Sequence, residues 1–340
     1  MRRRITPART ALAGLVLLAL VAAILVFAPS ERYIFLPDEA HSVAPRVVVD
    51  GERPDPDGGG IFYVDVIVRK ATLLERLVPG LQEGSTLVEE HVIRPPGVSE
   101  ADRRRADRNA MSQSQKVAAA VALRALGRNV RTRSTGVLVS GVFPETPAAG
   151  KLRQSEIIVA IDGEPVRTVA DLRRLIGRRK PGEPVRLRIR SSEGLRAVEL
   201  KTIADPDRPG RPVIGISPDQ AAEIELPLAV KIDLGDVGSP SAGLAFALDL
   251  MEELGRRIDR GYKVAATGAI ELDGTVLPIG GVKQKTIGAR RSRVDIFLVP
   301  AGENARDARR YAEGLRVVPV KNFQQALRAL ATLPPKARAD

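Results

Sequence analysis

SPSAG at 239–243 and LDGTVLPIGGVKQK at 272–285 are the stretches on which the reading of this chain turns. Ser241 stands at a turn that opens into LAFALDLMEEL (244–254), an apolar run that predicts a buried helix. Lys285 closes the second stretch, just past a Gly280-Gly281 turn at the head of another helical segment. A serine hydroxyl is a poor nucleophile until a neighbouring base takes its proton. Histidine is the usual base, but the two histidines here, His41 and His91, lie far upstream. A lysine can serve when burial lowers its pKa to about 7–8. A serine at a helix start also gains from the backbone N–H groups and dipole there, which stabilise negative charge. The residues outline a Ser-Lys hydrolase site, set against the plainer reading of SPSAG as a helix N-cap.

The words around these residues narrow the choice. SPSAG is followed in order by TGAI (267–270), LDGTVLPIGGVKQK and FLVPAGEN (297–304). This run, roughly 230–323, resembles the proteolytic domain of Lon proteases. That family's pattern is a serine in GPSAG, then TGEI, then G-x-V-L-P-I-G-G-x-x-x-K, then a strand ending P-x-x-N. The resemblance implies Ser241 as nucleophile and Lys285 as general base, with Lys283 a bystander. It places Thr267, by its hydroxyl, near the catalytic lysine, and implies a fold like domain 2 of ribosomal protein S5. Pro240, Ala242 and Gly243 match the pattern as supporting residues. Ser239 stands where the family has its first glycine, so that backbone is less free to adopt positive φ. Ala269 stands where the family has an acid, so that carboxylate is missing. The 340 residues contain no G-x-x-x-x-G-K-[ST] phosphate loop, so they encode no ATP-driven motor. Substrates are expected to arrive unfolded, flexible or presented by another element.

Residues 11–28 form an uncharged apolar stretch behind Arg2, Arg3, Arg4 and Arg9. Its length meets the requirement for crossing a bilayer, and the arginines orient its start to the cytoplasm. The expectation is a single-pass membrane protein with an extracytoplasmic catalytic domain. A cleaved signal peptide is the weaker alternative, since such peptides carry 7–15 apolar residues and Pro29 would follow the cut. Zero cysteines exclude disulfides and thiol catalysis and fit an exported protein.

From Gly136 the words GVLVSGVFPETPAAG, LRQSEIIVAIDGEPV, a helix over 169–178, KPGEPVRLRIR and LRAVELKT follow in order. They resemble a bacterial PDZ domain over 135–202, with Ser155-Glu156 where the family has Gly-Asp. The resemblance implies capture of an extended peptide end by strand addition. Further upstream, strands are expected over 47–49 and 61–68, a surface loop or helix edge over 92–106, and a helix over 112–127. In the protease segment, strands are expected over 227–231 and 264–267, with helices over 307–314 and 323–330.

The expected architecture is α/β (α+β) and multidomain: a cytoplasmic start (1–9), a transmembrane helix (10–28), an extracytoplasmic collar (29–127), a PDZ-like β-rich domain (128–205), a linker (206–213) and a Lon-like proteolytic domain (214–335). This order resembles the membrane-anchored, PDZ-containing Lon-like peptidases. The expected function is ATP-independent serine endopeptidase, cleaving extracytoplasmic or membrane-tethered proteins selected through the PDZ-like domain. The alternative is a non-enzymatic PDZ scaffold with a degenerate Lon-like domain. No cofactor and no metal are expected. The expected partners are protein or peptide substrates, the membrane and, by resemblance only, further copies in a ring. The net charge of +12 raises nucleic acid as a partner, but aromatics are only 3% and no basic stripe carries stacking residues, so none is expected.

Overall fold

Alternation along IFYV sends Tyr63 to one face of a sheet and Val64 to the other, and each face finds a helix. The Tyr63 ring lies 6.2 Å from the Phe246 ring of helix Gly243–Glu253. Val64 packs in a core with Val282 and Ala289 of helix Val282–Arg291 and Ala305 and Ala308 of helix Glu303–Arg310. The computed structural model containing these elements describes residues 7–44, 47–49, 59–93, 100–191, 193–206, 208–228, 230–232 and 240–336. The chain divides into two units, Met1–Glu100 with Val230–Asp340, and Ala101–Ala229. Both mix helices with sheet.

The first unit is built on a six-stranded sheet in the spatial order Arg316–Val320, Ile296–Pro300, Lys263–Ala266, Gly60–Thr72, Pro29–Ser42, Thr86–Val88. The first four strands run parallel and the last two are antiparallel additions. Ile296–Pro300 is buried at every position, as a parallel strand covered on both faces must be. Pro29–Ser42 and Gly60–Thr72, read in the sequence as part of a collar, thus lie in the same sheet as Lys263–Ala266. Helix Val282–Arg291 lies so close to Pro29–Ser42 that a Cβ on Gly288 would come within 1.9 Å of the Asp38 carbonyl oxygen. Only glycine permits that approach. Helix Phe323–Ala331 closes the unit, burying Phe323, Ala326 and Leu330, with the Asn322 side chain capping it at Gln325 N.

In the second unit the strands lie in the order Ile216–Glu225, Arg131–Val142, Ile157–Ile161, Pro184–Ser191, Gly194–Lys201, each antiparallel to its neighbour. Helix Val169–Ile176 starts on a capping box between Thr168 and Asp171 and buries Leu172, Leu175 and Ile176 against this sheet. Ser155 adopts φ +71, the conformation a glycine would take there at less cost. The Glu156 side chain beside it is buried and takes the Arg196 guanidinium at 2.7 Å. Helix Glu100–Ala125 begins well before the expected 112. Within the expected linker, 206–213, strand Arg208–Val213 pairs with Ile203–Asp205 as a two-stranded ribbon. Pro212 fits because a two-stranded ribbon leaves one backbone edge unpaired.

The expected membrane span is corrected here. Helix Pro7–Phe27 carries exposed leucines and valines, but among the described residues no helix is long and apolar enough to cross a membrane. The single-pass membrane placement and the transmembrane part of the expected fold are therefore withdrawn. Arg2, Arg3 and Arg4, on which the orientation rested, lie outside the described residues.

Candidate active site

A short 3-10 turn, Pro240–Ala242, delivers Ser241 to the head of helix Gly243–Glu253. Two backbone bonds pin this turn: Gly268 N–H donates to Ser241 O at 2.7 Å, and Leu244 N–H donates to Gly268 O at 3.0 Å. Gly268 in turn follows strand Lys263–Ala266 in the centre of the sheet. The position of the serine is thus fixed by the sheet rather than by its own loop.

Lys285 comes from the opposite face. It sits in the first turn of helix Val282–Arg291, where its N–H donates to Gly281 O at 3.0 Å. Gly281 adopts φ +68, and a Cβ there would lie 2.7 Å from Val66 Cγ2, so the turn requires glycine twice over. The Lys285 side chain is buried, 2% exposed, and its Nζ lies 2.5 Å from Ser241 Oγ and 3.4 Å from Thr267 Oγ1. Ser241 itself is 7% exposed. Thr267 Oγ1 donates to Ser241 O at 3.2 Å, while its N–H donates to Leu298 O at 3.0 Å.

Burial pushes the Lys285 pKa down to about 8, opposed in part by the negative charge of Asp65. A buried ammonium loses hydration that no carboxylate here fully replaces, so the neutral amine becomes accessible near neutral pH. A neutral amine at 2.5 Å can take the serine proton, which is the arrangement a general base needs.

Residues 230–332 match the family described as the Lon protease (S16) C-terminal proteolytic domain, and residues 124–202 match the PDZ domain family. Over 129 residues the chain is 35% identical to the Lon protease of Chloroflexus aggregans, covering 36% of this chain and 15% of that protein. Over 123 residues it is 33% identical to Lon protease 2 of Bacillus subtilis, covering 36% of this chain and 21% of that protein. The chain spans only that fraction of these relatives' length. Among solved structures, the PDZ domain of the SdrC-like protein of Listeria monocytogenes is 28% identical, covering 25% of this chain and 87% of that one, with a TM-score of 0.23. The chain carries a Lon-type serine peptidase domain.

Of the residues singled out in the sequence, Ser241, Lys285 and Thr267 come together in this domain. Ala242 and Gly243 are buried at the helix start, and no side chain caps the helix at Ala242. Pro240 opens the 3-10 turn. Ser239 lies outside the described residues. Lys283, one turn face away, donates from Nζ to Ser85 O at 3.1 Å and sits over the Tyr311 ring, clear of the serine.

The sequence reading passed over Asp65, whose signal was a lone acid in an otherwise apolar strand word, IFYVDVIV. It also gave no role to Gln284, whose amide donates to Gly84 O at 2.8 Å and Thr86 Oγ1 at 2.9 Å and so anchors the lysine's helix to the 84–86 loop. Asp249 was missed as well. It is 2% exposed in helix Gly243–Glu253, its Oδ2 has no hydrogen-bond partner among the described residues, and burial with Glu253 and Glu252 pushes its pKa up to about 8.

Proposed function

We propose that the protein is an ATP-independent serine endopeptidase in which Ser241 is the nucleophile and Lys285 the general base. The single observation that carries this reading is the 2.5 Å contact between Lys285 Nζ and Ser241 Oγ, with both side chains buried. The neutral Lys285 amine takes the hydroxyl proton as Ser241 attacks a peptide carbonyl carbon. In this reading backbone N–H groups near Ser241, where no side chain caps the helix, hold the oxyanion. The lysine, now an ammonium, gives its proton to the leaving amine and an acyl-enzyme forms. Water attacks that ester, Lys285 again accepting a proton, and Ser241 is restored. The Thr267 hydroxyl, bonded to Ser241 O and reached by Lys285 Nζ, orients the amine between these steps.

The chain holds no phosphate loop, so unfolding is not driven by its own residues and flexible protein segments are the substrates. The PDZ domain supplies selection in this reading. Among the described residues its sheet ends on strand Ile216–Glu225, bonded to Arg131–Val142, with helix Val169–Ile176 alongside. An extended peptide end can add there as a further strand. We take 128–205 as the PDZ domain, with strand Ile216–Glu225 completing its sheet, the remainder of 214–335 as the Lon-like domain, and a ring of identical copies as the assembly, by resemblance; sedimentation of the full chain tests the last. The catalytic assignment is tested with Ser241→Ala. It is expected to cleave neither a disordered protein nor a short fluorogenic peptide, and hydrolysis retained by the purified variant overturns the reading.

A further inference from the structure

Helix Val282–Arg291 has to present a long, flexible lysine to one oxygen, yet its own start provides little to aim it. Its N-cap is Gly281 in a left-handed conformation, with no side-chain cap. The residues before it, 278–280, belong to no regular element. Both backbone polar groups of Ile279, two residues ahead of Gly281, are nevertheless satisfied, and by a single side chain. Ile279 N–H donates to Asn304 Oδ1 at 2.8 Å, and Asn304 Nδ2 donates to Ile279 O at 3.1 Å. The amide of Asn304 thus stands in for a strand neighbour along one residue of the turn.

Asn304 is itself rigidly placed. It is the second residue of helix Glu303–Arg310, which follows buried strand Ile296–Pro300 after a turn at Gly302, φ +88. Ala301 N–H donates to Val320 O at 2.9 Å, tying that turn to the edge of the sheet. A continuous path therefore runs from the sheet through Asn304 to Ile279, to Gly281, and by the Lys285 N–H···O bond to the lysine. Asn304 is in the right chemical form for this, because only an amide offers a donor and an acceptor side by side.

We infer that Asn304 is a positioning residue of the peptidase: its two bonds to Ile279 fix the turn that aims Lys285 at Ser241. The inference rests on the Ser-Lys reading above, and it extends that reading to a residue that does not touch the reacting atoms. A displacement of about 1 Å at a reacting group can cost on the order of 100-fold in rate, so loss of the clasp acts on turnover. Substrate contacts are untouched, so KM is expected to hold. With the aim loosened, Lys285 gains water, and its titration moves up toward that of an ordinary lysine.

The test uses the full chain with Asn304→Ala beside wild type. One measurement is kcat on a fluorogenic peptide, normalised to serine titrated with an acylating probe. The other is NMR titration of the Lys285 ¹³Cε signal, identified by its absence in Lys285→Arg. The expected result is a kcat lower by about 10–100-fold, a KM within about twofold, and a Lys285 midpoint raised from its wild-type value. An unchanged Lys285 midpoint, or a loss carried wholly by KM, overturns the inference. Should the alanine variant fail to fold, Asn304→Asp decides, since it keeps the acceptor for Ile279 N–H and loses the donor. A smaller fall in kcat with a raised midpoint then supports the role, and wild-type behaviour in both overturns it. A wild-type protein without turnover would sink the Ser-Lys reading, while the Lys285 titration would still report whether Asn304 holds that side chain.

Discussion

Lys285 Nζ lies 2.5 Å from Ser241 Oγ, and its nearest other polar contact is a second hydroxyl, Thr267 Oγ1 at 3.4 Å, rather than a carboxylate. That distinguishes a base from a structural ion pair. A lysine buried against a carboxylate is held charged, whereas one buried among hydroxyls is pushed toward the neutral amine. The pKa of about 8 reflects that balance, with burial dominant and the charge of Asp65 opposing it.

The two lysines of KQK are expected to separate cleanly. Lys285→Ala should lower kcat by about 10⁴-fold or more, as loss of a base does in related acyl-transfer sites. Lys283→Ala removes a bond to Ser85 O and a contact with the Tyr311 ring, and should change kcat by no more than about twofold. Steady-state kinetics on one peptide decides this. The assignment of the base fails if Lys283→Ala is the silent variant's mirror, inactive while Lys285→Ala turns over.

Asp65 gives the pH dependence a sign. Its negative charge raises the Lys285 pKa, so neutral lysine, and with it kcat/KM, appears as pH rises through about 8. Asp65→Asn removes that charge, and the acid limb of the profile is expected to move to lower pH. Asp65→Glu, which keeps the charge, should leave the limb nearer wild type. A limb unmoved by the asparagine substitution would show that Asp65 does not act on the base.

How far the sequence carried the reading can be seen at particular residues. SPSAG and GGVKQK marked Ser241 and Lys285 because the proposed nucleophile and base sit on turns with strong local signatures, and the two side chains lie in contact. Strand word IFYVDVIV and the helices over 244–254 and 169–178 were legible from apolar periodicity. Membership of strands in a sheet was not. Gly60–Thr72 and Lys263–Ala266 are far apart in the chain, and no local pattern says that they pair in register from Gly60 with Lys263. The ribbon at 203–213 was hidden by its prolines, which read as a linker until an unpaired ribbon edge accommodates them. Gly288 gave no signal at all, since its need is an approach of 1.9 Å to the Asp38 carbonyl from a distant strand.

Asp249 is expected to make stability fall as pH rises. Burial, with Glu253 and Glu252 nearby, raises its pKa from 3.8 to about 8 in the folded chain. Between those values the folded state keeps a proton that the unfolded state has lost, so folding weakens as pH rises from about 4 to 8. Asp249→Asn keeps the shape and removes the titration. Thermal melts at pH 5 and pH 8 should show the wild type losing more Tm across that interval than the variant, by several degrees for each ~1 kcal/mol or so of difference. Equal losses in the two proteins would place the Asp249 carboxyl in water rather than in the core.

The proposed selection by the PDZ domain makes a demand on the backbone of the bound peptide. A strand added along Ile216–Glu225 bonds through every second peptide group, because alternate N–H groups of a β-strand point to opposite edges. Peptides N-methylated one position at a time should therefore bind the Ser241→Ala chain in an alternating pattern. Each inward methyl removes a bond worth about 0.5–1.5 kcal/mol and should weaken binding by roughly two- to tenfold, while outward methyls should cost little. Fluorescence anisotropy with a labelled peptide reads this directly. In cleavage assays the same methyls should lower kcat/KM for long substrates and leave a short peptide, too short to occupy the PDZ edge, unaffected when the methyl lies away from its scissile bond. A uniform response along the peptide would argue against strand addition, and binding indifferent to every methyl would remove the PDZ domain from substrate selection.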